Sequence, residues 1–302
     1  MSEQKTLSGR ATAELVLLGL IWGGSFLSVH IALRELPVLT LVLHRTGWAA
    51  LALWMVVLAL RLPLPRDLRT WGAFLVMGLA NNVIPFGLQA WAQHSIESGL
   101  VSILNATTAM FGIIVAAIVF PDERLSARKL IGVGTGFAGV LTIVGPAALA
   151  GLDPRNVAQL AVLVSTLSYA LAGAWARKQL GHLHPMIAAA GMLTGSTLLL
   201  LPAVLIVDGP PILNLQPVTW MAIAHYALIA TAGAYLLYYR VLGMAGSGNL
   251  MLVTLLVPPV AIALGAVWLN EALHPRAYGG FALLALGLLI LNGTIRIPAR
   301  RA

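Results

Sequence analysis

The chain has 302 residues, of which 59% are hydrophobic and 9% charged, with mean hydropathy +0.91. A soluble domain carries about 25% charged residues to solvate its surface, so this surface is one that meets lipid. The absence of cysteine excludes disulfides and thiolate chemistry, and the net charge of +8 is spread over short loops, a topology signal and not a nucleic-acid patch.

The predicted elements follow in chain order. Lys5 and Arg10 precede an apolar run over 11–33. It is too long for the core of a signal peptide and no small-residue cleavage site follows, so it reads as a retained first span. A spanning helix needs roughly 20 mostly apolar residues, each rising about 1.5 Å, to cross a core of about 30 Å. Nine more such segments follow, at 38–60, 71–93, 98–120, 130–148, 157–176, 185–207, 218–239, 249–269 and 278–295. Short separators with breakers or charges divide them, such as Arg34-Glu35-Leu36-Pro37 and Pro121-Asp122-Glu123-Arg124. The expected fold class is an all-α membrane protein of ten transmembrane helices. Of the 18 Lys and Arg residues, 14 fall on the side of the N-terminus; Arg34, Arg45, Arg155 and Arg276 fall on the other. Positive loops stay cytoplasmic. Both termini are therefore expected in the cytoplasm, with the chain integral to the inner or plasma membrane.

The chain also repeats itself. Ser98-Gly99 through Glu123 to Gly145 lies over Ser247-Gly248 through Glu271 to Gly293 after one residue of slip. Glu123 then meets Glu271, Leu125 meets Leu273, and Arg128 meets Arg276. Gly132, Gly139 and Gly145 meet Gly280, Gly287 and Gly293. The repeat divides the chain into residues 1–150 and 151–302, five spans each, within one membrane unit. Five is odd, so the second copy enters the bilayer from the opposite face. Inverted repeats of this kind hold a small-molecule site near the midplane and rock around it.

The paired repeats, the run Trp22-Gly23-Gly24-Ser25-Phe26 and the Glu-x-Leu turn before a glycine-rich span resemble the drug/metabolite transporter superfamily. The ten-span EamA-type branch is the nearest match over almost the whole chain, and within it the YddG-like amino-acid exporters. The resemblance implies export of a small metabolite from the cytoplasm, foremost a neutral or aromatic amino acid, with a drug or nucleoside as the alternative. It implies no cofactor. An arginine at the position of Arg45 implies, by the same resemblance, a structural or gating role.

Polar side chains within spans are the first candidates for a site. Asn82, Pro85, Gln89 and Gln93 recur at helical spacing, and their amides donate and accept, which suits a polar neutral cargo. The other reading is hydrogen bonding between helices. Thr231, Tyr235 and Tyr238 share a face, Tyr235 being the better cargo contact and Tyr239 an interfacial anchor. Trp22 beside Ser25 either stacks on cargo or packs the bundle. Tyr169 forms an aromatic pair with Trp22 across the pseudo-axis in this reading. Ser102, Asn105 and Thr108 stripe a third face. Arg45, beside His44, either meets a cargo carboxylate or snorkels to the interface. Pro258-Pro259 frees backbone carbonyls, as a hinge or as acceptors.

His182-Leu183-His184 is too weak a pattern for a metal, and none is expected. No acidic residue falls mid-span, so transport without a coupling ion is expected, with His30, His44 and His225 keeping a proton route open. An intramembrane enzyme would need a nucleophile and base, for which a Ser–His pair, Ser247 and His225 for example, stays open. A channel would need a repeated filter or charged ring. The expected partners are the bilayer and a small-molecule cargo, with the protein a monomer or a homodimer.

Overall fold

The computed structural model describes residues 7–92, 95–96, 98–145, 149, 152–153, 156–210, 212–268 and 275–295. Gln93, Glu97, Glu271 and Leu273 lie outside them, as do the side chains of His30 and Ser102. The described residues contain helices and no strand. Six helices among them are long and apolar enough to cross a membrane: Val38–Ala59, Leu68–Gln89, Ala127–Val144, Val157–Leu180, Pro185–Val207 and Pro217–Ala245. Ile103–Val119, Ser247–Val260 and Arg276–Leu291 are apolar but shorter. Ile118, Leu58, Ile206 and Met221 are exposed on the outside of the bundle, as a lipid-facing surface requires.

Helix α1 (Gly9–Gly24) starts under Ser8, whose hydroxyl accepts from Ala11 N. It bends at Ser25 into α2 (Phe26–Ala32). There the Ser25 hydroxyl donates to Trp22 O at 2.7 Å, and such back-bonding favours a bend. Helix α3 (Val38–Ala59) is capped from a distance, because Thr40 N and Oγ1 both donate to Asp208 Oδ2 at 2.9 and 2.8 Å. Helix α4 (Leu68–Gly78) starts at Asp67, and the N–H of Thr70 holds that carboxyl below the usual carboxylate range. A π turn at Leu79–Val83 joins α4 to α5 (Ile84–Ala92). Helices α6 (Ser98–Ala106), α7 (Thr108–Val119) and α8 (Ala127–Val144) follow.

In the second half, α9 (Val157–Trp175) runs into a π turn at Ala176–Leu180, and α10 covers Pro185–Val207. Helix α11 (Pro217–Ala224) passes through a π segment, His225–Gly233, into α12 (Ala234–Ala245). The short α13 (Ser247–Leu250) is offset from α14 (Val253–Trp268), and α15 covers Arg276–Leu291. The expected hinge at Pro258-Pro259 is not where the helix breaks. Helix α14 runs through both prolines, and the interruption falls at Met251–Leu252.

Packing pairs α3 with α10, α8 with α15, α1 with both α14 and α12, and α9 with both α7 and α5. Helices α8 and α15 approach each other closely along their glycines. A Cβ on Gly139 would lie 2.8 Å from Gly280 O and from Leu284 N, and one on Gly287 would lie 2.7 Å from Gly132 O and Gly136 N. Gly145 and Gly293 end these helices at φ +104° and +82°. The guanidinium of Arg276 lies against Gly145 and that of Arg128 against Gly293. Each helix thus sends an arginine to the carbonyl end of the other, where a cation is stabilised; Arg276 Nη2 donates to Val144 O at 3.2 Å.

Candidate functional site

A cavity of about 960 Å³ lies among the helices. Its lining runs from Leu33, Leu36, Pro37, Val207 and Asp208 down to Tyr238 and Met251. The first group sits where α2 and α10 end, so the cavity reaches the end of the bundle opposite the N-terminus.

Asp208 sits at the rim of the cavity, and Arg45 is the charged group of its interior. It is 6% exposed and does not snorkel. Its Nε donates to Thr231 Oγ1 at 2.7 Å and its Nη1 to Tyr226 Oη at 2.6 Å. The guanidinium carbon lies 4.1 Å from the centre of the Phe86 ring and 4.3 Å from that of Tyr226. Thr231 can accept from Arg45 because its own proton goes to Tyr226 O at 2.8 Å. Among the described residues no carboxylate contacts this cation. Taking a charge out of water costs several kcal/mol, and neutral hydroxyls and ring faces return only part of that. His44 turns elsewhere. Trp48 Nε1 donates to its Nδ1 at 3.1 Å, which puts the proton on Nε2, and that nitrogen meets Ile212 O at 3.2 Å.

The amides form a second group. Asn81 lines the cavity and donates to Tyr235 Oη at 2.9 Å. The Tyr235 hydroxyl passes its own proton to Asn82 Oδ1 at 2.6 Å, and Asn82 donates to Ser196 Oγ at 2.7 Å. Gln89 donates to Asn105 Oδ1 and Ser165 Oγ, both at 3.0 Å. Around these lie Trp22, edge-on to Tyr235 with ring centres 6.1 Å apart, and Tyr169, edge-on to Phe86 at 6.4 Å.

The π turns supply the geometry. Widening a helix by one residue per turn leaves carbonyls without their usual helical partner, and such bulges recur at functional sites. Trp22 Nε1 donates to Ala230 O at 3.1 Å, and Ser168 Oγ to Ala80 O at 2.7 Å. Both acceptors lie in π segments. Asn81, Tyr226 and Thr231 lie in them as well.

Of the expected site residues, Trp22, Ser25, Gln89, Tyr169 and Tyr235 line the cavity. Arg45, assigned a gating or structural part, lines it too. Asn82 and Thr108 are fully buried and stand behind it, with Asn81 and Asn105 taking the places at the wall. Pro258 and Pro259 are buried and do not line it. Trp22 and Tyr169 share the cavity, but their nearest rings are Tyr235 and Tyr238 for one and Phe86 for the other. Tyr239 is no interfacial anchor. It is 6% exposed, and its hydroxyl reaches Met192 Sδ at 3.7 Å, since α10 covers the face that lipid would need.

The other end of the bundle is shut by residues the hydropathy pattern leaves unremarked. Glu123 is completely buried. Its carboxylate accepts from Ser247 N at 2.8 Å, Ser247 Oγ at 3.1 Å, Gly248 N at 2.8 Å and Arg177 Nη1 at 2.6 Å. It therefore caps α13 while pairing with Arg177, which also bonds Asp122. Beside it Met251 fills the space left by Gly112 and Gly173. Ser247 is occupied here, and His225 Nδ1 lies 2.8 Å from Ser28 Oγ, so Ser247 and His225 form no nucleophile–base pair. Among the described residues no group of three His, Asp or Glu could hold a metal ion.

Comparison with known proteins gives this arrangement a family. Over 292 residues the chain is 26% identical to a "probable amino-acid metabolite efflux pump" of Salmonella typhimurium, covering 91% of this chain and 92% of that one. It is 27% identical over 290 residues to a "probable terminal-alkyne amino-acid exporter" of Streptantibioticus cattleyicolor, covering 94% and 93%. A solved crystal structure superimposes with a TM-score of 0.81 at 17% identity, over 95% of this chain and 99% of the other. The profile of the EamA-like transporter family matches twice, over residues 12–145 and 156–293. With nearly its whole length matched, this membrane protein belongs to the EamA-like transporter family.

Proposed function

We propose that the protein exports small carboxylate-bearing metabolites, amino acids foremost, by alternating access around the Arg45 cavity. The observation that carries this reading is a guanidinium held inside the cavity by neutral partners alone, where a carboxylate completes its charge and bidentate geometry. A volume of about 960 Å³ lies at the upper end for small-ligand sites, which run to about 1,000 Å³. Amides and aromatic rings around it accommodate both a polar head and a bulky body. The names of the relatives point to the same cargo class.

In this reading ten spans form two inverted five-helix repeats, with both termini in the cytoplasm. Contacts that come in exchanged pairs support it. Helix α1 meets the π segment of the eighth span as α9 meets that of the third. Trp22 and Ser168 bond the freed carbonyls from those positions, and Arg128 and Arg276 exchange helix ends. The open end then faces the outside and the Glu123 end the cytoplasm. Movement needs no coupling ion, because the buried acid is tied up in that closure and not placed on the cargo route. The protein carries and releases its cargo without chemistry on it.

Flux of labelled amino acids through proteoliposomes tests this. Saturable flux is expected, reduced at least 10-fold by Gln89→Ala or Tyr235→Ala in folded protein and unchanged by an imposed pH gradient. Proton movement tied to cargo would overturn the uncoupled mechanism. Absence of flux for every carboxylate tried would overturn the cargo class.

A further inference from the structure

We infer that the cargo this cavity takes best is a monocarboxylate whose amine is blocked or absent, such as an N-acyl amino acid, carried as a net anion. The inference rests on the function proposed above and deepens it. Among the described residues, Arg45 and Asp208 are the charged side chains of the wall. Asp208 belongs to the rim, where its Oδ2 is committed to Thr40 N and Oγ1 as the cap of α3. Arg45 lies about two helical turns further in, and its hydrogen bonds go to hydroxyls. The deep part of the cavity therefore carries one positive charge with no acid beside it.

A carboxylate cancels that charge. A zwitterion brings an ammonium as well, with three protons that need acceptors. The acceptors nearby are all neutral, and several are already engaged. Asn82 Oδ1 takes Tyr235 and Asn81, Asn105 Oδ1 takes Gln89, and Thr231 Oγ1 takes Arg45. Ala230 O takes the indole of Trp22. What remains for an ammonium is neutral, the unpartnered Tyr238 hydroxyl and the faces of aromatic rings, a weaker reward than the loss of its hydration. The guanidinium also repels it. Acylating the amine removes the second charge and adds atoms that suit Tyr238, Met251 and Val257 in the wall.

A net anion moved alone is a current. An inside-negative potential of 100 mV would hold an outward gradient of about 50-fold without any coupled ion. This makes the membrane potential the driving force for export.

The test uses proteoliposomes of the whole protein and protein-free vesicles, with a potassium–valinomycin potential of 0 or 100 mV, negative inside. The probes are labelled N-acetyl-phenylalanine, phenylalanine and N-acetyl-phenylalaninamide, the last lacking the carboxylate. Protein-dependent efflux of N-acetyl-phenylalanine is expected at least 10-fold faster than that of phenylalanine, approaching the 50-fold gradient at 100 mV. The amide is expected to leave no faster than from protein-free vesicles, a result that needs no variant to fold. Arg45→Lys should keep part of the flux and Arg45→Gln lose it. Faster movement of phenylalanine than of its N-acetyl form would overturn the inference and leave the amino-acid reading standing. N-acetyl-phenylalanine flux indifferent to the potential would overturn it too, and no flux of either acid would overturn both readings.

Discussion

Glu123→Ala is expected to loosen the end of the bundle near the N-terminus and to raise the labelling rate of an Ala116→Cys reporter by roughly 10- to 100-fold. The carboxylate, itself fully buried, satisfies two backbone N–H groups, a hydroxyl and a guanidinium. Removing it leaves each buried donor short by about 1–3 kcal/mol. Arg177 keeps Asp122 as a partner, so the groups left short are chiefly the N–H groups and the hydroxyl at the start of α13. Part of that loss returns when the closed end opens and water reaches Ser247 and Gly248, which are buried in the closed end, so the population shifts toward opening. Ala116 is fully buried, and its Cβ lies 2.9 Å from where Gly248 would carry one, on the closing contact itself. The chain has no cysteine of its own, so a water-soluble maleimide in detergent micelles reads this residue alone. Glu123→Gln should give an intermediate rate, since it keeps an acceptor and loses the charge. Unchanged labelling in folded Glu123→Ala would remove Glu123 from the closure.

The second large effect is expected in stability. Gly287→Ala places a methyl 2.7 Å from Gly132 O and Gly136 N and 3.0 Å from Gly136 Cα. These are backbone atoms of α8, which cannot rotate away, so one helix has to slide against the other. Overpacking of this kind costs about 1–3 kcal/mol. Thermal unfolding in micelles should show a clear fall in Tm for Gly287→Ala and loss of folded protein for Gly287→Leu. Gly279 and Gly134 lie on the same two helices with nothing within 4 Å. Gly279→Ala and Gly134→Ala should leave Tm unchanged or slightly raised, as alanine favours the helix over glycine. Equal destabilisation at all three positions would show that the close contact at Gly287 does not set the outcome.

Much of this architecture was readable from hydropathy, because lipid demands long apolar helices and leaves few other patterns. The cavity wall was less readable, and the misplacement of Asn82 shows why. Grouping Asn82 with Gln89 assumes an unbroken period of 3.6 residues. The π turn at Leu79–Val83 adds about one residue to one turn, so residues about eight apart come round to the same face. Asn81 and Gln89 are eight apart, and both line the cavity. Nothing in the composition of Leu-Ala-Asn-Asn-Val announces the wider turn. Thr108 failed differently. Its hydroxyl bonds Asn105 O one turn back, the local alternative always open to threonine. Glu123 stood out in the internal repeat, but its burial depended on Ser247, Gly248 and Arg177 arriving from the second half of the chain. Tyr239 sits where an aromatic belt is expected, and only the packing of α10 decides otherwise.

The glycine-packed pair has one more consequence, for the bilayer itself. Helices α8 and α15 have 18 and 16 residues, whereas α10 has 23. At about 1.5 Å per residue these rise roughly 27, 24 and 35 Å. The first two fall short of a hydrocarbon layer of about 30 Å, while α10 exceeds it. In the ten-span reading, lipid beside α8 and α15 thins by several ångströms or their terminal arginines snorkel, and lipid beside α10 need not thin. On that reading, longer acyl chains would strain the flank where the backbones are locked together.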